Sequence, residues 1–411
     1  MRPIVRDAAL VVSGVLLSGI ISWLREVRRR RLANAVPTKV IQVVGDIYLD
    51  MIAKVDELPH WDGDTDINQP IETTAGGSAL NTAVQLSTLC TTRRAAHRCE
   101  LHSLIGEDLY GDLVKRMLDD AGVTRRGPSV GGQGVCICLS GKSDRAFVSY
   151  KGSVARLSER DLELDKLFAS GTAHVHFAAY YDCCGLQPSL PALLARARDN
   201  GATTSIVTQS DQTGRWTQVL DLLPLVDVFI GNELEVCAIA RALERRERPT
   251  VRTGRETPSE EPTADETWTA MGALLEAGAP LVVTTRGPHG AMAAAATGER
   301  WTQETVATTV VDTTGAGDAF AAGFLFGWVG GGGQDGAAAA QSDRVCLGLS
   351  YGCAAGAAAV GQMGGSSPLP AEKVDSAMVL KPVTVEKRRA KTEPTRRHTV
   401  ATPVRMGSAR W

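Results

Sequence analysis

Neither sign of charge prevails in this chain of 411 residues: 44 Lys and Arg stand against 46 Asp and Glu, a net charge of −2. A nucleic-acid binder needs a basic footprint for phosphates, so nothing here supports that class. Cysteine occurs nine times, an odd number, at irregular spacing and without a single Cys-x-x-Cys pair. That pattern suits neither a disulfide framework nor a zinc site, and it points to a reducing compartment. No segment repeats another. A Walker A loop is also missing: Gly141-Lys142-Ser143 has the right ending, but the first glycine of that motif would fall on Cys136.

What is present is an apolar fraction of 44%, enough for one large α/β domain with appendages. Short strand-like runs at 40–44, 174–178, 203–208, 226–230 and 280–285 alternate with helix-compatible stretches such as 190–198. This alternation predicts a central, mostly parallel sheet with helices on both faces. Residues 106–122 read as a strand end followed by an amphipathic helix. Gly134–Ser140 and the run 145–151, on either side of a polar turn, predict a hairpin.

The chemistry concentrates in Asp312-Thr313-Thr314-Gly315-Ala316-Gly317-Asp318-Ala319-Phe320. A β-rich run, 305–311, precedes it and an apolar helix-compatible segment, 319–328, follows, so a strand is expected to turn into a helix here. The first N–H groups of a helix lack internal partners, the dipole adds positive charge, and Gly315, Ala316 and Gly317 leave a phosphate room to approach. Asp318 would repel that phosphate unless it takes the proton of the attacking group. Taken alone, such small residues serve equally well to allow a tight turn.

Other candidates lie upstream. The strand at 40–44 ends in Gly45-Asp46-Ile47-Tyr48-Leu49-Asp50, which places Asp50 at the carboxyl edge of a sheet, as a hydroxyl acceptor or simply a loop acid or helix cap. Gly76-Gly77 lets backbone approach a ligand, and Asn81 has donors and acceptors suited to a polyol. Asn232 and Glu235 follow a strand in an Asn-x-x-Glu pair, a spacing that by itself marks an ordinary helix start.

Residues 312–320, followed by Ala-Ala-Gly-Phe-Leu, resemble the C-terminal signature of the ribokinase-like, or PfkB, carbohydrate kinases, and Gly76-Gly77 with Asn81 four residues on resembles their N-terminal signature. The resemblance covers roughly residues 39–370, with both signatures in order. It implies a ribokinase-like α/β fold with a small β-sheet lid that closes over the sugar and excludes water. It implies ATP-dependent phosphorylation of a hydroxymethyl group, with Asp318 as general base and Gly315, Ala316 and Gly317 as anion hole. Asp50, Gly76, Gly77 and Asn81 would contact the substrate. Asn232, Thr285, Gly287, Gly290 and Gly317 would serve the nucleotide, and Glu235 would hold Mg2+ through water. Asp312 and Thr314, with the turn at 361–366, would hold a monovalent cation such as K+, although a basic residue common in that turn is Gln362 here. A ribose-like pentose is the first expected substrate, with a hexose or an adenosine-like nucleoside as alternatives. The rival from another class is a non-catalytic sugar- or nucleotide-binding protein on the same fold. Lids in the family pair in some members, so a homodimer is an open expectation.

Three segments stand apart. Residues 1–36 contain an apolar run, 8–24, flanked by Arg2 and Arg6 and by Arg25 and Arg28 to Arg31. The heavier charge on its C-terminal side predicts a membrane anchor with a kinase domain, 37–380, facing the cytosol. An organellar targeting peptide is the alternative. Residues 241–266, rich in charge, Pro and Thr, read as a surface insertion, and 381–411 as a basic disordered tail.

Overall fold

The structure is a computed structural model that describes residues 39–141, 145–247, 261–306, 308–330, 341–378 and 383–387. Along the chain the strands are β1 (Lys39–Val44), β2 (Tyr48–Lys54), β3 (Glu72–Gly76), β4 (His97–His102), β5 (Arg125–Arg126), β6 (Gly134–Ser140), β7 (Arg145–Tyr150), β8 (Thr172–Phe177), β9 (Thr203–Val207), β10 (Val228–Asn232), β11 (Leu281–Thr285), β12 (Ala291–Ala295), β13 (Glu299–Gln303) and β14 (Thr384–Lys387). The longer helices are α1 (Ser78–Thr92), α2 (Leu109–Ala121), α3 (Leu190–Asp199), α4 (Glu233–Glu247), α5 (Ala264–Glu276), α6 (Ala316–Gly330), α7 (Gln341–Ala359) and α8 (Ala371–Met378).

Ten strands form the main sheet in the order β14-β13-β12-β11-β10-β9-β8-β1-β4-β5. From β5 to β11 every pair is parallel, and β12, β13 and β14 add an antiparallel edge. The central strands are apolar on both faces because both are covered. On β10, Val228 and Ile230 join the core under α1, α6 and α7, while Phe229 between them joins the opposite core under α3, α4 and α5. The predicted two-faced sheet is what forms.

The lid is a separate sheet, ordered β3-β2-β6-β7. Its β6–β7 pair is the expected hairpin, antiparallel from Val135↔Tyr150 to Ser140↔Arg145. Asp50, expected at the carboxyl edge of the main sheet, sits instead on lid strand β2, opposite Thr74 of β3 and Cys136 of β6.

Other expectations need correction. Among the described residues of 305–311 there is no strand: β13 ends at Gln303, and Val310 and Val311 stay largely exposed. Both edges of β13 are already taken, by β12 and β14, so the β-prone run has no ladder to join. The charged stretch 241–266 is structured at both ends. Helix α4 continues to Glu247, burying Val236, Ile239 and Ala242, and α5 starts on a Thr263/Glu266 capping box. Part of the expected tail is strand β14, from Thr384 to Lys387, which pairs with the open edge of β13. The expected anchor at 8–24 lies outside the described residues, as do 248–260 and 388–411. Among the described residues no helix is long and apolar enough to cross a membrane.

Candidate active site

Helix α6 begins at Ala316, as the spacing of small residues predicts, and Asp318 lies in its first turn. Gly315 has φ +74°, and a Cβ there would collide with Gly365, so the turn before the helix needs glycine for both reasons. Among the described residues the N–H groups of Gly317 and Asp318 find no acceptor, whereas that of Ala316 turns back to the Thr313 carbonyl at 3.3 Å. Of the expected anion-hole residues Gly317 therefore keeps an unengaged N–H, and Asp318 adds a second.

The Asp318 side chain is buried and held at both oxygens by one turn of α1. Ser78 Oγ donates to Oδ1 at 2.7 Å and Asn81 Nδ2 donates to Oδ2 at 2.8 Å. Burial pushes the Asp318 carboxyl above its ordinary range, and these two hydrogen bonds pull against that shift. Asn81 Oδ1 is buried and has no hydrogen-bond partner among the described residues. Helix α1 is itself fixed by Asp46, whose carboxylate accepts from the N–H groups of Ser78 at 3.0 Å and Ala79 at 2.8 Å. This is an acid at a helix N-terminus, supplied from 32 residues upstream.

Asp50 reaches the same place from the lid. A Cβ on Gly76 would overlap its carboxylate, so Gly76 is small to seat Asp50 as much as to admit a ligand. Burial, with the Asp318 charge second, raises Asp50 to about 7. On the far side Gln85 joins α1 to the 365–369 turn, its Nε2 donating to the Gly365 and Ser367 carbonyls at 2.9 and 2.8 Å while Oε1 accepts from Leu369 N–H at 3.1 Å.

Asp312 and Thr314 do come together with that turn. Asp312 Oδ1 accepts from the Thr314 N–H at 2.9 Å and hydroxyl at 2.8 Å, and Oδ2 accepts from Gly364 N–H at 3.0 Å. The carboxylate thus clasps the loop to the segment after α7.

The nucleotide-side candidates sit at adjacent strand ends, with Asn232 of β10 paired in register with Thr285 of β11. Asn232 and Glu235 cap α4 reciprocally: Asn232 N–H donates to Glu235 Oε2 at 3.0 Å, and Glu235 N–H donates to Asn232 Oδ1 at 2.9 Å. Gly287 and Gly290 bracket the turn after β11, which the half-buried pair Arg286 Nε to Glu233 Oε2, 2.9 Å, ties to the start of α4. Glu235 is raised to about 7 by burial, with the Asp318 charge contributing, so the two acids share one electrostatic neighbourhood. Asp50, Glu235 and Asp318 are all shifted upward, with no Lys or Arg among the causes. Among the described residues no three His, Cys, Asp or Glu side chains stand close enough together to hold a metal ion by themselves.

The model of the pfkB family of carbohydrate kinases matches residues 38–372. The chain belongs to this family. An ATP-dependent ribose-1-phosphate kinase of Halopiger xanaduensis is 27% identical over 342 residues, covering 80% of this pfkB kinase and 95% of that protein. An acarbose 7(IV)-phosphotransferase of Actinoplanes sp. is 29% identical over 296 residues, 71% of this chain and 85% of that one. A ribokinase structure from Giardia lamblia has a TM-score of 0.65 at 18% identity, covering 82% of this chain and 98% of its own. At that identity the likeness is one of fold, which is ribokinase-like. This pfkB kinase is therefore an ATP-dependent phosphotransferase acting on a sugar.

Sequence reasoning missed Ser78, Asp46, Gln85 and the Glu233–Arg286 pair. Ser78 lies between Gly77 and Asn81 of the N-terminal signature, and once α1 forms it stands three residues before Asn81 on the same helix face. Asp46 had none, since its partners lie across the fold.

Proposed function

We propose that this kinase phosphorylates the hydroxymethyl group of a sugar, with Asp318 as general base. The observation that carries the reading is the seating of Asp318: buried, fixed at both oxygens by Ser78 and Asn81, and in the first turn of a helix whose Gly317 and Asp318 N–H groups are unengaged. The hydroxyl proton passes to the Asp318 carboxylate, the substrate oxygen bonds to the γ-phosphorus of ATP, and the bond from that phosphorus to the ADP oxygen breaks. Burial makes Asp318 a better base than a solvated aspartate, which brings its proton affinity nearer neutrality. The free N–H groups take up charge on the transferring phosphoryl. Asp50 and the unpartnered Asn81 Oδ1 orient the sugar by accepting from its hydroxyls. Mg2+, when bound near Glu235 through water, supplies charge neutralisation between the phosphates and these acids.

A pentose such as ribose comes first as the reacting ring, with a hexose and a nucleoside as rivals. The test is ADP release by the full chain with Mg2+ and ATP across ribose, fructose, glucose and adenosine, with Asp318→Asn as control. Asp318→Asn is expected to lower kcat by about 10²–10⁴-fold, the usual contribution of a positioned base, while ATP still binds by calorimetry. Near-normal turnover in that variant removes Asp318 from the role. Potassium beside Asp312 and Thr314 belongs to the same reading, and an unchanged rate on exchanging K+ for Na+ removes it.

A further inference from the structure

A cavity of about 650 Å³ lies between the lid and the loop before α6, with Asp312 and Thr314 in its lining. Ile52 and Lys54 line it from β2, two and four residues beyond Asp50 and so on the same face of the strand. Their register partners Cys138 and Ser140 line it from β6. The lining also includes Thr314, next to Gly315, Met363 from the turn after α7, and Asn68 and Gln69 from the loop between β2 and β3. The lining thus includes Ile52, two residues along β2 from Asp50, and Thr314, four residues before Asp318.

Its size and lining decide what it can hold. Pockets of about 300–1,000 Å³ take ligands larger than a single sugar ring. A phosphate is disfavoured: among the described residues the lining offers one Lys or Arg, Lys54, and it already pairs with Glu72 at 3.2 Å. A nucleobase would want a ring to stack on, and no aromatic side chain is found in the lining among the described residues. The exposed amides of Asn68 and Gln69 present donors and acceptors in pairs, which is how a ring of hydroxyls is read.

We propose that this cavity is a second sugar subsite, and that the acceptor is a glycoside: one ring offers its hydroxymethyl to Asp318 while a linked ring fills the space between Ile52, Thr314 and Gln69. The proposal rests on the reading of Asp318 given above. Its test compares kcat/KM for ribose, glucose and fructose with that for maltose, trehalose, sucrose and maltotriose, and for adenosine, in the full chain, in Asp318→Asn and in Asn68→Ala/Gln69→Ala. The expected result is a kcat/KM at least tenfold higher for one di- or trisaccharide than for its component monosaccharides. The double variant should shrink that ratio at least fivefold, chiefly through KM. Turnover that depends on Asp318 but is best with a free monosaccharide or adenosine, or a ratio the double variant leaves untouched, overturns the subsite and leaves the reading of Asp318 standing. Absence of Asp318-dependent turnover with every acceptor overturns both. Asn68 and Gln69 are exposed loop residues, so folding of the variant is checked simply by an unchanged circular dichroism spectrum.

Discussion

Two donors from one turn of α1 set both the direction and the basicity of the Asp318 carboxylate, which makes Ser78 a positioning residue. Removing its hydroxyl takes away one of the two interactions that oppose the effect of burial, so the proton affinity of Asp318 should rise further. In Ser78→Ala the acid limb of the kcat/KM profile is therefore expected to move to higher pH, with kcat down about tenfold, a fraction of what a positioned base contributes. Ser78→Thr, which keeps the hydroxyl, should restore the profile. A uniform loss of rate with no movement of the limb would show that Ser78 matters only for packing. Asp46 is a different kind of acid: it holds the α1 N-terminus rather than a substrate, and its seat beside Ser78 depends on Gly77, where a Cβ would press on Asp46 at 3.0 Å.

Among the elements, α6 and α7 carry the anion loop and pack through glycine. A Cβ on Gly327 would meet the Leu347 carbonyl at 2.5 Å, and one on Gly348 would meet the Phe324 ring at 2.8 Å, so backbone lies on backbone at this crossing. Gly327→Ala should cost about 1–3 kcal/mol by overpacking. Because α6 begins at the anion loop, it should also lower kcat more than it changes KM, as chemical denaturation and steady-state kinetics would reveal. A stable variant with normal kcat would show that the helix pair yields freely. At α4, Asn232 is the cap as well as a nucleotide-side candidate. Asn232→Ala is expected to lower stability by about 1 kcal/mol and to raise KM for ATP. A loss of stability alone would leave Asn232 a purely structural cap.

For the whole molecule, two buried sets of titrating groups oppose each other. Asp46, Asp50 and Glu235 are raised to about 7, chiefly by burial. A folded-state value above the unfolded one means that their contribution is complete below about pH 4 and is lost as the pH rises through 7. His97 and His102 are lowered from 6.5 to about 4 and His176 to about 3, again chiefly by burial, so their contribution is present above 6.5 and lost as the pH falls. The sets pull against each other below pH 6.5, and above it only the carboxylates still titrate. The protein without Mg2+ and ATP should thus lose thermal stability between pH 6.5 and 8, and Mg2+ with ATP should raise Tm more at pH 8 than at pH 6. A gain independent of pH would argue against a cation among these acids.

The alternation of apolar runs with helical stretches was enough to set the two-faced parallel sheet, because burial on both faces is written in the strands themselves. The small residues at 315–317 likewise marked the start of α6, because helix ends have a local chemistry. Membership of a sheet is not local: Asp50 follows β1 in sequence yet belongs to the lid, and 305–311 has strand composition with no edge to pair with. Nor is a long-range hydrogen bond, and Ser78 meets Asp318 across 240 residues. Residue type and short-range spacing were fixed by the chain alone; which acid faces which donor, and how burial shifts its proton, depended on packing, since both desolvation and partner geometry exist only once distant segments close on one another.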